Sequence, residues 1–239
     1  MDLPSSRRSP THYHSTGGFN LRQLMCEGML FDLDGVLVDS SASIQRSWKK
    51  WAERHGIDLT SVMHTSYGVR TVETMRILVP HLDAEHEAAQ LTAAEISDTE
   101  GVTAMDGALA LLRGLPSDRW AIVTSGSRQL ALARLERAGL PVPEILVSGD
   151  QVQRGKPAPD PYLEGARRLG RLPESCIVVE DAPAGIVAGR AAGMQVIAVA
   201  STHARGELDT PYVIGGLSEL TTHLKSEGEL RLLVSLPPA

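Results

Sequence analysis

The chain has 239 residues, 42% apolar and 4% aromatic, with 29 acidic against 23 basic side chains and a formal net charge of -6. That length builds a packed core without disulfide or metal staples, and the acidic balance argues against a nucleic-acid partner. No apolar run approaches the roughly 20 residues of a membrane span. Cys26 and Cys176 form neither a CxxC nor a zinc-ligand cluster, so a reducing, cytoplasmic setting is the expectation.

Residues 1–24 are rich in Ser, Pro, Gly and His and contain no apolar stretch of a secretory signal. They are expected to form a flexible tail in which His12 and His14 are incidental. Residues 29–33 are a short apolar strand ending at Asp34-Gly35. From 40 to 55, Ile44, Trp48, Trp51, Ala52 and His55 recur at helical spacing, with Ser40 or Asp39 as cap and Gly56 as stop. That spacing predicts a buried helix face for the two tryptophans rather than a ligand platform. Between 59 and 101 the pattern is helical, chiefly over 71–78 and 85–96, with no convincing strand.

A regular alternation follows. Helices are predicted over 108–115, 128–138, 161–169 and 184–192. Strands are predicted over 120–124, 144–147, 176–179, 195–199 and 212–214. The last ten residues either extend as a strand or dangle. Continuous apolar strands alternating with helices imply an α/β fold with a parallel sheet covered on both faces. A crossover needs only a dozen or so residues. Residues 41–103 are therefore expected to be an inserted helical domain, with 25–40 and 104–239 forming the core.

Open parallel sheets bind ligands at the carboxyl ends of their strands. Those ends here are Asp32-Leu33-Asp34-Gly35, Thr124-Ser125-Gly126-Ser127 and Glu180-Asp181, and Gly155-Lys156-Pro157 lies ahead of the fourth strand. Two carboxylates about 4 Å apart repel by roughly 4 kcal/mol at an effective dielectric of 20. Four on one rim need a cation beyond Lys156, and oxygen ligands favour Mg2+. Hydroxyls and free N–H groups beside a glycine suit phosphate oxygens. The pattern points to a phosphoryl group held between Mg2+ and Lys156. Asp32 and Asp34 share one side of an extended chain. One can attack phosphorus while the other exchanges protons with the leaving oxygen and then with water.

Phe31-Asp32-Leu33-Asp34-Gly35, Thr124-Ser125-Gly126, Gly155-Lys156-Pro157 and Val179-Glu180-Asp181 resemble the four signature motifs of the haloacid dehalogenase superfamily. The resemblance covers nearly everything after Met25. It implies a Rossmann-like core with a mobile helical cap inserted after the first strand. It makes Asp32 the nucleophile of an aspartyl-phosphate and Asp34 the general acid/base. Ser125, or Thr124 one register away, and Lys156 would hold the phosphoryl oxygens. Asp32, the Asp34 carbonyl and Asp181, with Glu180, would complete the Mg2+ site. Superfamily dehalogenases lack the second aspartate, so dehalogenation is disfavoured.

Residues 120–127, 155–163 and 180–186, with the cap stretch 64–71, are similar to small sugar-phosphate phosphatases, including 2-deoxyglucose-6-phosphate and glycerol-3-phosphate phosphatases. The substrate expected is a small phosphate monoester. Gly126 and Ser127 are expected to contact it from the core and Arg70 from the cap. Val36 is commoner in β-phosphoglucomutases, which keeps a mutase as the alternative. A mutase histidine expected in the first cap helix is replaced near Ile44. A non-catalytic phosphometabolite-binding domain would have lost a motif acid, and none is missing. A single copy of the chain is the expected state.

Overall fold

The structure, a computed structural model, describes residues 22–227 and 229–237. Strands β1 (Arg22–Cys26), β2 (Gly28–Phe31) and the two-residue β3 (Val38–Asp39) lead into four helices, α1 (Ser41–His55), α2 (Leu59–Ser66), α3 (Thr71–Leu78) and α4 (Ala84–Ser97). After β4 (Thr103–Ala104) come α5 (Ala108–Gly114), β5 (Trp120–Val123), α6 (Arg128–Ala138), β6 (Leu146–Val147) and α7 (Asp160–Leu169). The chain ends with β7 (Cys176–Glu180), α8 (Pro183–Ala191), β8 (Gln195–Val199), β9 (Tyr212–Ile214), β10 (Thr221–Glu227) and β11 (Glu229–Leu236).

The continuous apolar runs form one parallel sheet in the order β6-β5-β2-β7-β8-β9. Successive side chains of a strand point to opposite faces, so both faces must be covered. Met29 and Phe31 of β2 join a cluster with Leu112 of α5 and Leu135 of α6. Leu30, between them, joins Tyr162 and Ala166 of α7 and Ile186 of α8 on the other face. This is the Rossmann-like layering that the alternation implies. It sets the carboxyl ends of the central strands β2 and β7 side by side.

Helices α1–α4 stand between β3 and β4, which pair antiparallel as Val38↔Ala104 and Asp39↔Thr103. Pairing there brings the two roots of the helical cap together. The cap has its own core, with Trp48, Trp51, Val62, Met75 and Leu91 buried. Burying one such side chain contributes about 1.5–3 kcal/mol. Both tryptophans are core, and Trp51 Nε1 donates to Glu87 Oε2 at 2.8 Å. Gly56 ends α1 in the left-handed conformation, φ 67°, which glycine adopts without a Cβ clash.

Two local expectations change. Ser40 is the N-cap residue of α1 but makes no side-chain capping bond. Its hydroxyl donates to Asp34 instead, and Asp39 Oδ1 accepts from the Ser41 N–H at 3.1 Å. Residues 22–24, assigned to the tail, belong to β1, because Leu24 and Cys26 alternate into the main core. β1 pairs antiparallel with β11, and β11 with β10, in a small second sheet. The rest of the expected tail, with His12 and His14, lies outside the described residues. Among the described residues no helix is long and apolar enough to cross a membrane. Both cysteines are free and buried.

Candidate active site

The first residue past β2 is Asp32, whose N–H donates to Val179 O of the neighbouring β7 at 2.9 Å. The ladder therefore fixes where its carboxylate starts. Lys156 arrives from the loop ahead of α7 with its side chain fully buried. Its Nζ donates to Asp32 Oδ1, to Glu180 Oε1 at 2.7 Å and to Val123 O at 3.1 Å. Those three acceptors use all three ammonium donors. Glu180, the last residue of β7, also accepts from Tyr162 OH at 2.8 Å and from the N–H groups of Asp181 and Ala182 at 2.9 and 3.1 Å. Both of its oxygens are fully engaged. A side chain at position 185 would overlap this carboxylate, so Gly185 leaves the space Glu180 fills.

Carboxylate oxygens of Asp32, Glu180 and Asp181 lie within 4.8 Å of one another, all three side chains buried. Asp181 is tied by Thr202, whose hydroxyl reaches its Oδ2 at 2.5 Å. A Cβ at Gly35 would overlap that same oxygen, and Gly35 has φ 83°. The turn after Asp34 thus needs glycine twice over. Burial pushes the Asp32 carboxyl up to about 7 against the pull of Lys156, with Glu180 and Asp34 pushing the same way. Burial, then Glu180 and Asp32, push Asp181 well above the usual range. Burial also opposes the charges on Glu180 and Lys156. Their mutual attraction outweighs it, holding Glu180 low and, together with Asp32, Lys156 high. Three buried acids thus face one lysine, and the donor set suits a hard divalent cation.

Asp34 turns to other partners. Its Oδ1 accepts from Ser40 Oγ and its Oδ2 from Arg134 Nη1, each at 2.6 Å. On the second rim segment, Thr124 is buried and its Oγ1 accepts from the Gly126 N–H at 3.1 Å. Ser125 is half-buried, and its hydroxyl donates to the cap carbonyl of Gly68 at 2.8 Å. Of the two registers, Ser125 presents its hydroxyl to the cap–core cleft. Ser127 caps α6, accepting from the Leu130 N–H at 3.3 Å.

Arg70 bridges cap and core. It donates to the carbonyls of Gly149, Val152 and Gln153 at 3.1–3.2 Å and pairs with Glu73. A guanidinium so engaged fastens the cap to the loop that carries Lys156, while its Nε makes no hydrogen bond and the side chain lines the cavity between cap and core. A cavity of about 630 Å3 opens between α3, α4 and the start of α6, with Arg70, Thr92, Ile96, Ser125, Ser127 and Gln129 in its wall.

Four residues of this network have no role in the sequence reading: Tyr162, Thr202, Arg134 and Glu95. Tyr162 lies inside the similar stretch 155–163, which was the available signal. The others have none, since they reach the rim from helices and loops distant in sequence.

A family model described as haloacid dehalogenase-like hydrolase matches residues 29–199. The chain belongs to that family of hydrolases. It is 44% identical over 218 residues, 87% of this chain and 99% of the relative, to hexitol phosphatase A of Escherichia coli strain K12. It is 34% identical over 192 residues to glycerol-1-phosphate phosphohydrolase 2 of Saccharomyces cerevisiae, covering 75% of this chain and 76% of the other. Among solved structures it is similar to a hydrolase from Pseudomonas syringae, with TM-score 0.73 and 27% identity over 80% of this chain and 94% of that one.

Proposed function

We propose that this phosphoric monoester hydrolase is a Mg2+-dependent phosphatase of small sugar or polyol phosphates that works through an aspartyl-phosphate on Asp32. The observation that carries the reading is the Asp32 carboxylate, anchored by buried Lys156 beside Asp181 at the central strand ends. The hexitol and glycerol phosphate relatives support the substrate class.

Asp32 would attack phosphorus, forming a new P–O bond as the ester P–O bond breaks. Asp34 would give its proton to the leaving alkoxide. Water would then attack the phosphorylated Asp32 and pass a proton to Asp34, releasing inorganic phosphate and restoring the carboxylate. Lys156 holds Asp32 in register and would offset the phosphoryl charge, and the Ser125 hydroxyl would donate to a phosphoryl oxygen. The carboxylates of Asp32 and Asp181 and the carbonyl of Asp34 would hold Mg2+, with Glu180 behind them anchoring Lys156. Bound there, the ion supplies positive charge to the transferring group. We assign 41–103 to the cap, which would exclude water during the first step.

The test is phosphate release from hexitol, glycerol and deoxyhexose phosphates, with and without Mg2+, by the parent and by Asp32→Asn. Mg2+-dependent release that Asp32→Asn lowers by orders of magnitude is expected. A variant that keeps turning over refutes the nucleophile. Phosphate moved between sugar positions without release would instead identify a mutase.

A further inference from the structure

Arg134 is 4% exposed and sits on the buried side of α6. Its guanidinium makes two contacts that join two parts of the molecule. Nη1 donates to Asp34 Oδ2 at 2.6 Å, in the loop after β2. Nη2 donates to Glu95 Oε1 at 3.3 Å, on cap helix α4. Glu95 is 5% exposed, and its carboxylate pairs with Arg134. A planar guanidinium fixes the angle between its donors. Displacing one carboxylate therefore turns the group against the other. Ser40 Oγ restrains the remaining Asp34 oxygen at 2.6 Å, and Ser40 stands at the root of the cap, next to α1.

We infer that Arg134 is a positioning residue for the Asp34 carboxylate, and that its contact with Glu95 makes the orientation of Asp34 depend on how the cap is seated. The inference deepens the proposed function and rests on Asp34 as the proton donor to the leaving group. With the cap seated, Asp34 is gripped from the core by Arg134 and from the cap root by Ser40. When α4 lifts, Arg134 loses one of its two carboxylates, and its hold on Asp34 is re-aimed. The charge partners around Asp32 make no such bridge to α4, because Lys156 donates to Asp32, Glu180 and Val123 in the core, and the cap reaches the Lys156 loop through Arg70 on backbone carbonyls.

The test separates this role from a merely structural one by leaving group. An alkyl phosphate releases an alkoxide that must be protonated, whereas p-nitrophenyl phosphate releases a stable phenolate that leaves without a proton. kcat/KM reports both up to transfer onto Asp32. For Arg134→Gln, kcat/KM toward a hexitol phosphate is expected to fall at least tenfold while that toward p-nitrophenyl phosphate changes by less than about threefold. Glu95→Ala should show the same selective loss in smaller measure, and the double variant should be no worse than Arg134→Gln alone. Equal losses on both substrates, or none on either, overturn the inference. If Arg134→Gln does not fold, Glu95→Ala and Arg134→Lys decide it by the same ratio. Asp32→Asn, run in parallel, keeps the outcomes distinct: activity surviving there sinks the proposed function, whereas an Asp32-dependent enzyme indifferent to Arg134 and Glu95 sinks only this inference.

Discussion

Replacing Lys156 by Met removes a buried cation and keeps most of the stem. Nothing else among its contacts is positive, since its Nζ meets Asp32 Oδ1, Glu180 Oε1 and Val123 O. Each ion pair at about 4 Å is worth roughly 4 kcal/mol at an effective dielectric of 20, and desolvating the ammonium takes back a large part. Removing one partner of a buried pair costs about 3–5 kcal/mol in net terms. For a chain of this size that lowers Tm by roughly 6–20 °C. The penalty should depend on pH with a definite sign. Without the lysine, Asp32 and Glu180 bind protons in the folded state at pH values where the unfolded chain has lost them. The variant therefore gains stability, relative to the parent, as pH falls from 8 toward 6. Urea unfolding of both proteins in chelator at pH 8 and pH 6 measures this. A loss below about 1 kcal/mol at pH 8, or a larger loss at pH 6 than at pH 8, would refute the reasoning that Lys156 holds the acidic cluster together.

Mg2+ at a hundred times its Kd should stabilise the parent by about 2.7 kcal/mol, and Asp181→Asn should lose most of that gain in the same calorimetric titration. Gly35→Ala should cost about 1–2 kcal/mol for the left-handed backbone alone. Its Cβ also intrudes on Asp181, so stabilisation by Mg2+ and phosphate release should vanish together; retention of either counts against the site. Burial pushes Glu95 up to about 7 despite Arg134. A folded-state pKa raised from 4.5 means stability from this group is present at low pH and is lost as pH rises to about 7, by up to roughly 3 kcal/mol. Glu95→Gln mimics the protonated form, so it should match the parent at pH 5 and exceed it at pH 8 in urea unfolding.

The parallel core was legible because its strands are buried on both faces and read as unbroken apolar runs, such as residues 176–179 of β7. Helix ends at Gly56 and Gly139 were legible because left-handed caps favour glycine. The sheet of β1, β10 and β11 was not, because it pairs residues from opposite ends of the chain, Leu24 with Val234 for example. At the site, Asp32, Glu180 and Asp181 were named from strand ends and Lys156 from the loop ahead of the fourth strand, and the structure brings them together. The anchoring of Arg70 was not legible, because a guanidinium's partners can be backbone carbonyls, and Gly149, Val152 and Gln153 carry no sign in the sequence that they will face it.

The two aspartates of Asp32-Leu33-Asp34 show what such a reading misses. They are two residues apart, yet each is held by a different buried cation. Lys156 ties Asp32 to Glu180 within the core, while Arg134 ties Asp34 to Glu95 in the cap. The ion pairs that hold Asp32 therefore lie within the core, whereas one of the two made by Arg134 lies in the cap. Phosphoryl transfer from a substrate that needs no proton should then be insensitive to changes in α4, and transfer from a sugar phosphate should not. A motif shows both carboxylates alike. The distinction between them comes from which helix supplies the counter-charge, and that depends on the folded arrangement of α4, α6 and the loop before α7.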